Sequence, residues 1–133
     1  MMAATPPGRE GSTVNITPLG GIGCAIEVHR HMGAGLLEKP YTLAMCIELA
    51  SQGIGFERER LVPLTYKGIR VGEYRPDLIV EGRVVVEVKS VLHLEPVFTA
   101  QMLTYLRITN LRTGLILNFN RPVLREGIKR FVL

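Results

Sequence analysis

At 133 residues the chain has the length of one domain, with 47% apolar and 21% charged residues, ordinary for a globular protein. Two cysteines exclude a disulfide framework, and no apolar run approaches the ~18 residues of a membrane span. A net charge of +4 leans mildly toward a polyanionic partner, and the absence of an apolar leader core in the first 17 residues makes a cytoplasmic location the expectation.

Residues 1–17, rich in Pro, Gly, Ser and Thr, read as a flexible tail, which leaves 18–133 as the folded domain. Helical spacing of Ile22, Ala25, Ile26 and His29 predicts a helix over Gly20 to Met32, stopped by Gly33. A second helix is predicted from about Leu37 to Gln52, with Leu43, Ile47 and Ala50 as its apolar face and Pro40 in its first turn, where a missing N–H costs nothing. Phe56 to Tyr66 reads as a strand, with Pro63 marking an edge position. Lys67-Gly68 turns the chain into a strand over Arg70 to Val80, interrupted near Gly72. Glu81-Gly82 turns it again into a strand over Arg83 to Lys89. Pro96 opens a helix to about Asn110, Gly114 to Phe119 is an apolar strand, and the segment from Pro122 to Leu133 ends in a short strand. The order α-α-β-β-β-α-β describes an α/β protein, a mixed sheet flanked by helices.

Within this pattern the stretch Val84-Val-Val-Glu-Val-Lys-Ser90 stands out. Alternation puts Val84, Val86 and Val88 on one face and Glu87 and Lys89 on the other. Charges in so apolar a strand are either solvated at an edge or present for chemistry. Asp77 decides between these, and its face depends on the turn. A two-residue loop at Glu81-Gly82 turns Asp77 away from Glu87. A three-residue loop, Val80-Glu81-Gly82, sets Asp77 opposite Val85, diagonal to Glu87 and on its face. Two carboxylates without His or Cys suit a hard ion such as Mg2+, with Mn2+ as a substitute. Such an ion polarises a phosphate and generates hydroxide, and a neighbouring lysine steadies the charge that develops.

Two other patterns lead nowhere. Gly20-Gly21-Ile22-Gly23 follows no strand and lacks the third glycine of a dinucleotide fingerprint. Cys24, His29, His31 and Cys46 match no zinc spacing.

Pro76-Asp77 followed by Glu87-Val88-Lys89 resembles the PD-(D/E)xK signature of the restriction-endonuclease-like nuclease superfamily. Gln101-Met-Leu-Thr-Tyr105 resembles the QxxxY motif of its exonuclease-type branch. Gly35-Leu-Leu-Glu38-Lys-Pro-Tyr41 resembles the signature of the small GxxExxY group, over about Leu19 to Val132. The resemblance implies a Mg2+-dependent nuclease acting on nucleic acid, more on DNA than RNA. It implies Asp77, Glu87 and the backbone carbonyl of Val88 as metal ligands, Glu38 completing the cluster directly or through water, and Lys89 assisting the attacking water or the transition state. Gln101 and Tyr105, one helical turn apart, would orient Lys89, the substrate or both. Gln101 lies on an otherwise apolar helix face, where a buried amide needs partners. Arg107, Arg112, Arg121, Arg125, Lys129 and Arg130 make the C-terminal third basic. Clustered beside the acidic site, Arg107, Arg112, Arg121 and Lys129 would grip the phosphate backbone. A homodimer is compatible with so small a core. The competing readings are a catalytically inactive module that binds nucleic acid or protein on the same fold, and an enzyme acting on another phosphate ester.

Overall fold

The computed structural model describes residues 16–133, with side chains from Gly21 onward. The tail expected over 1–17 lies, up to residue 15, outside the described residues, and Ile16 and Thr17 belong to the first helix, α1 (Ile16–Met32). The helix ends where Gly33, at φ +71, turns its N–H back onto the His29 carbonyl at 2.8 Å. The second helix, α2 (Glu38–Ser51), holds Pro40 in its first turn, whose N–H groups have no intrahelical acceptor in any case. Gly53, at φ +72, closes its other end.

The buried face of α2 is not the one that spacing suggested. Leu43, Ile47 and Ala50 are exposed, while Tyr41, Thr42, Met45 and Leu49 are buried. The helix carries apolar residues on two sides, and the side with the bulkiest set at i, i+4 and i+8 wins the core. Tyr41 can be buried whole because its hydroxyl donates to the Gly33 carbonyl at 2.5 Å, and its ring stacks on Phe119 with centroids 4.5 Å apart.

Each of the two long strands expected before Glu81 is two short ones. The first divides into β1 (Phe56–Arg58) and β2 (Val62–Tyr66), with Glu59 at φ 54 between them. The second divides into β3 (Ile69–Tyr74) and β4 (Leu78–Val80). The strand is irregular near Gly72, where Val71 is left unpaired, but it breaks at Arg75-Pro76-Asp77, because Pro76 has no N–H to give a ladder. Then come β5 (Val84–Lys89), α3 (Pro96–Thr109), β6 (Thr113–Asn118), a 3-10 turn (Leu124–Gly127) and β7 (Ile128–Val132).

The main sheet has the order β1-β4-β5-β6-β7, so the Val-rich β5 is its middle strand. It is mixed: β5 and β6 run parallel, joined over the sheet by α3, and the other neighbours are antiparallel. The mixed α/β architecture expected from the sequence is therefore the one observed. The hairpin β2–β3 stands apart as a two-stranded sheet. Val84, Val86 and Val88 pack with Leu78, Leu115 and Leu117 against α1 and α2. Val85 and Ile116, on the opposite face, pack under Met102 and Leu106 of α3. Among the described residues no helix is long and apolar enough to cross a membrane.

Candidate active site

The site forms where β4 ends early. Its pairs with β5 are Leu78↔Val86, Ile79↔Val85 and Val80↔Val84. The connecting loop has three residues, but they are Glu81, Gly82 and Arg83, one position later than expected. Glu81 and Gly82 both take positive φ, 56 and 65. Glu81 is held there from two sides: its N–H donates to the Gly55 carbonyl at 2.8 Å, and its carboxylate accepts the Gly55 N–H at 2.5 Å. Carried one residue past Leu78, this register sets Asp77 directly opposite Glu87 rather than diagonal to it. The two carboxylates share a face, and they cross-link the strand ends. Glu87 Oε2 accepts the Asp77 N–H at 3.2 Å, and Asp77 Oδ2 accepts the Val88 N–H at 2.8 Å.

Both acids are held protonated more tightly than in water. Burial pushes Glu87 up from 4.5 to about 7, and the charge of Asp77 adds to it; the Tyr74 hydroxyl, the Asp77 N–H and Lys89 pull the other way. Burial also raises Asp77, against the Val88 N–H, and the nearby charge of Glu38 raises it further. Two half-buried carboxylates that resist ionisation together form a site that favours a cation.

Tyr74, at the end of β3, is the residue that sequence reasoning missed. Its hydroxyl donates to Glu87 Oε2 at 2.6 Å. Its ring stacks on Tyr105 of α3, with centroids 3.5 Å apart and planes 14° from parallel. Burial and the Glu87 charge push the Tyr74 hydroxyl far up, so it remains a donor. Tyr105 thus reaches the site through Tyr74. Lys89 is held by a different residue: its Nζ lies 4.3 Å from the centre of the Phe98 ring, also on α3. Gln101 sits one turn from each of these contacts, at i+3 from Phe98 and i−4 from Tyr105. It is exposed, so the expectation of a buried amide fails.

Glu38 is the first residue of α2 and is exposed. Its place is set by a tether. Tyr41 also accepts the Leu36 N–H, and the Leu36 carbonyl accepts the hydroxyl of Ser90, the residue after Lys89. The strap that precedes Glu38 is therefore tied to the end of β5.

The donor set is all oxygen. Among the described residues no three His, Cys, Asp or Glu side chains converge closely enough to hold a metal ion. A metal here would rest on Asp77, Glu87, backbone and water. The backbone contribution has a clear source. The N–H and C=O of one strand residue point to the same edge. Val88 gives its N–H to Asp77, whereas the Lys89 carbonyl faces β6 and accepts the Phe119 N–H at 2.9 Å. The Val88 carbonyl thus faces the side where β4 has already ended. Two carboxylates, a carbonyl and water fit Mg2+, which keeps several waters.

The four basic residues are not clustered beside this site. Arg112 precedes Thr113, which pairs with Val84 at the other end of β5, and Arg107 lies in the last turn of α3, near the same far end. Five residue steps of strand, about 17 Å, separate that end from Lys89. Arg121 follows β6 at the near end, but its carbonyl accepts His29 of α1 at 2.8 Å, on the opposite face. Lys129 is on the site's face, level with Ile116 and Glu87, and its Nζ donates to Thr99 of α3 at 2.9 Å. The chain order of basic residues carries no information about which strand end each one meets.

A mixed sheet whose middle strand ends in Glu-x-Lys, with an aspartate opposite the glutamate, defines a class of mixed α/β core with an acidic pair at its open strand end. The model of the PD-(D/E)XK nuclease superfamily matches residues 20–131, and the chain belongs to that superfamily. No curated protein and no solved structure matches it.

Proposed function

We propose that the chain is a metal-dependent nuclease of the GxxExxY type that hydrolyses phosphodiester bonds in DNA. The observation that carries this reading is the pairing of Asp77 with Glu87 across the open end of β4, with Lys89 two residues on and on the same face. Asp77, Glu87 and the Val88 carbonyl would hold Mg2+ or Mn2+, and Glu38 would bind through water from the rim. The ion supplies Lewis-acid polarisation of the phosphate and a lowered pKa for bound water. Lys89 offers a cation to the phosphate, held off the carboxylates by Phe98. Tyr74 fixes one oxygen of Glu87, which leaves the other to face the cation, and Tyr105 holds Tyr74. Gln101 faces the substrate from the rim. Of the basic residues, Lys129 shares the face of Glu87 and would meet the backbone nearest the cut. Arg121, tied to α1 on the opposite face, and Arg107 and Arg112, at the far end of β5, would meet it only if the strand wraps around or along the sheet.

The test is to incubate the purified protein with linear and nicked DNA, with and without Mg2+ or Mn2+, beside Glu87→Ala and Lys89→Ala. Metal-dependent cleavage lost in both variants supports the reading, and equal cleavage by all three proteins sinks it. Binding without cleavage would instead indicate the inactive module. Cleavage of small phosphate esters alone would indicate a different substrate class.

A further inference from the structure

The β2–β3 hairpin is small, stands outside the main sheet and ends in a tip that none of the described residues covers. A lone two-stranded ribbon is marginal by itself, and this one is held only at its base. There Val62 is buried and Tyr74 binds Glu87 and Tyr105. The tip is nonetheless well defined. Tyr66 pairs with Ile69 across Lys67-Gly68, and both loop residues have positive φ, 50 and 80, as a tight two-residue hairpin turn requires.

The register decides which way the tip faces. Val62 pairs with Tyr74 and Leu64 with Gly72. The ladder then slips, so that Thr65 pairs with Arg70 and Tyr66 with Ile69, leaving Val71 as the extra residue of a bulge. Without the slip Tyr66 would face Arg70. With it, Tyr66 and Ile69 share the face of Val62, Leu64 and Tyr74, the face turned to the acidic site. They are 64% and 69% exposed. The segment between Thr65 and Val71 contains Lys67 and Arg70, and Arg70 is paired with Glu73 at 2.6 Å. A ribbon that covers the acidic site at its base thus presents an aromatic–aliphatic pair beside Lys67 at its tip, with Arg70 on the ribbon's other face paired to Glu73. Tyr66 and Ile69 lie five strand residues from Tyr74, about 17 Å, which is about half a turn of B-form DNA.

We propose that this tip is a wedge for duplex DNA: Tyr66 and Ile69 press against the bases through the minor groove while Lys67 meets a flanking phosphate, and Arg70 meets another by exchanging its Glu73 partner. The wedge rests on the nuclease reading above and adds the element that engages the duplex about half a turn from the cut. Apolar wedges of this kind unstack a base step and are flanked by Lys or Arg.

The experiment measures binding of a fluorescein-labelled duplex in EDTA, where binding is separated from cleavage, using the wild type, the double variant Tyr66→Ala/Ile69→Ser, and Tyr66→Phe. The double variant should bind on the order of ten-fold more weakly or worse, the loss typical of a removed base–aromatic contact, and Tyr66→Phe should keep wild-type affinity. A 2-aminopurine placed about five base pairs from the cleavage position, half a turn away, should brighten with the wild type and with Tyr66→Phe but not with the double variant. Wild-type affinity in the double variant, or no 2-aminopurine response to the wild type, overturns the wedge. So does loss of a dimer in the double variant with unchanged DNA binding, which would assign the tip to a second copy of the chain. Cleavage with Mg2+ in the same preparations keeps the two proposals apart. A wild type that cleaves while the double variant binds normally overturns the wedge alone. A wild type that neither binds nor cleaves overturns the nuclease reading and the wedge with it.

Discussion

Glu87→Gln should make the metal-free protein more stable at alkaline pH, by an amount the site itself sets. Glu87 titrates at about 7 in the folded chain against 4.5 ordinarily. Its folded-state pKa is raised, so between these values the folded state holds more protons than the unfolded one, and stability falls as pH rises through this window. At about 1.36 kcal/mol per pH unit, the loss comes to about 3 kcal/mol once both states are ionised. For a chain of this size 1 kcal/mol moves Tm by roughly 3–5 °C. Thermal unfolding in EDTA should therefore show the wild-type Tm dropping on the order of 10 °C from pH 5 to pH 8. Glutamine keeps an oxygen for the Tyr74 hydroxyl and never ionises, so Glu87→Gln should lose most of that slope, the remainder belonging to Asp77. Equal slopes in the two proteins would refute the claim that the carboxylate is forced to share a desolvated site.

The same repulsion makes metal stabilising. Mn2+ or Mg2+ should raise the wild-type Tm more at pH 8 than at pH 6, as thermal scans with and without metal will show, and should barely move Glu87→Gln. Tyr74→Phe frees the Glu87 oxygen that the phenol holds, and should weaken Mn2+ binding by about ten-fold, read by titration calorimetry, the scale on which groups behind a metal ligand act. Lys89→Ala should retain Mn2+ binding while cutting cleavage turnover by roughly 10²–10³-fold, the loss typical of one transition-state contact. Gly127→Ala would place a methyl 2.1 Å from the Asn118 carbonyl oxygen. It should cost about 2–3 kcal/mol in urea unfolding, since backbone rather than a flexible side chain must move.

The valine alternation of β5 was enough to assign the shared face of Glu87 and Lys89, because a period of two leaves no freedom there. Asp77 was harder. Its face depended on loop parity, which Gly82 suggested, but its partner depended on where the loop begins. That was decided by Gly55, which clasps Glu81 from 26 positions earlier. Tyr74 left no local trace, because it reaches Glu87 only once Pro76 has ejected β3 from the sheet and folded it back over α3. The α2 face was misread since Leu43, Ile47 and Ala50 follow helical spacing as well as Tyr41, Met45 and Leu49 do. Periodicity could not rank them, whereas the acceptor at Gly33 for the Tyr41 hydroxyl could. Gln101 was expected inside because it falls on an otherwise apolar helix, yet the helix buries Met102 and Leu106 and leaves Gln101 on its open side.

On the nuclease reading, Asp77 would do two jobs with one carboxylate. Beyond Leu78 the sheet has no fourth rung from β4, and Asp77 Oδ2 takes the Val88 N–H that a backbone carbonyl would otherwise accept. A lineage that abandoned catalysis could not discard this residue freely, since alanine there would strand a half-buried donor, at about 1–3 kcal/mol. Asparagine would keep the rung and surrender the charge. Descendants of this fold that no longer cut should therefore be recognised by a conservative scar at position 77, while Lys89, which supports no rung through its side chain, would drift without restraint.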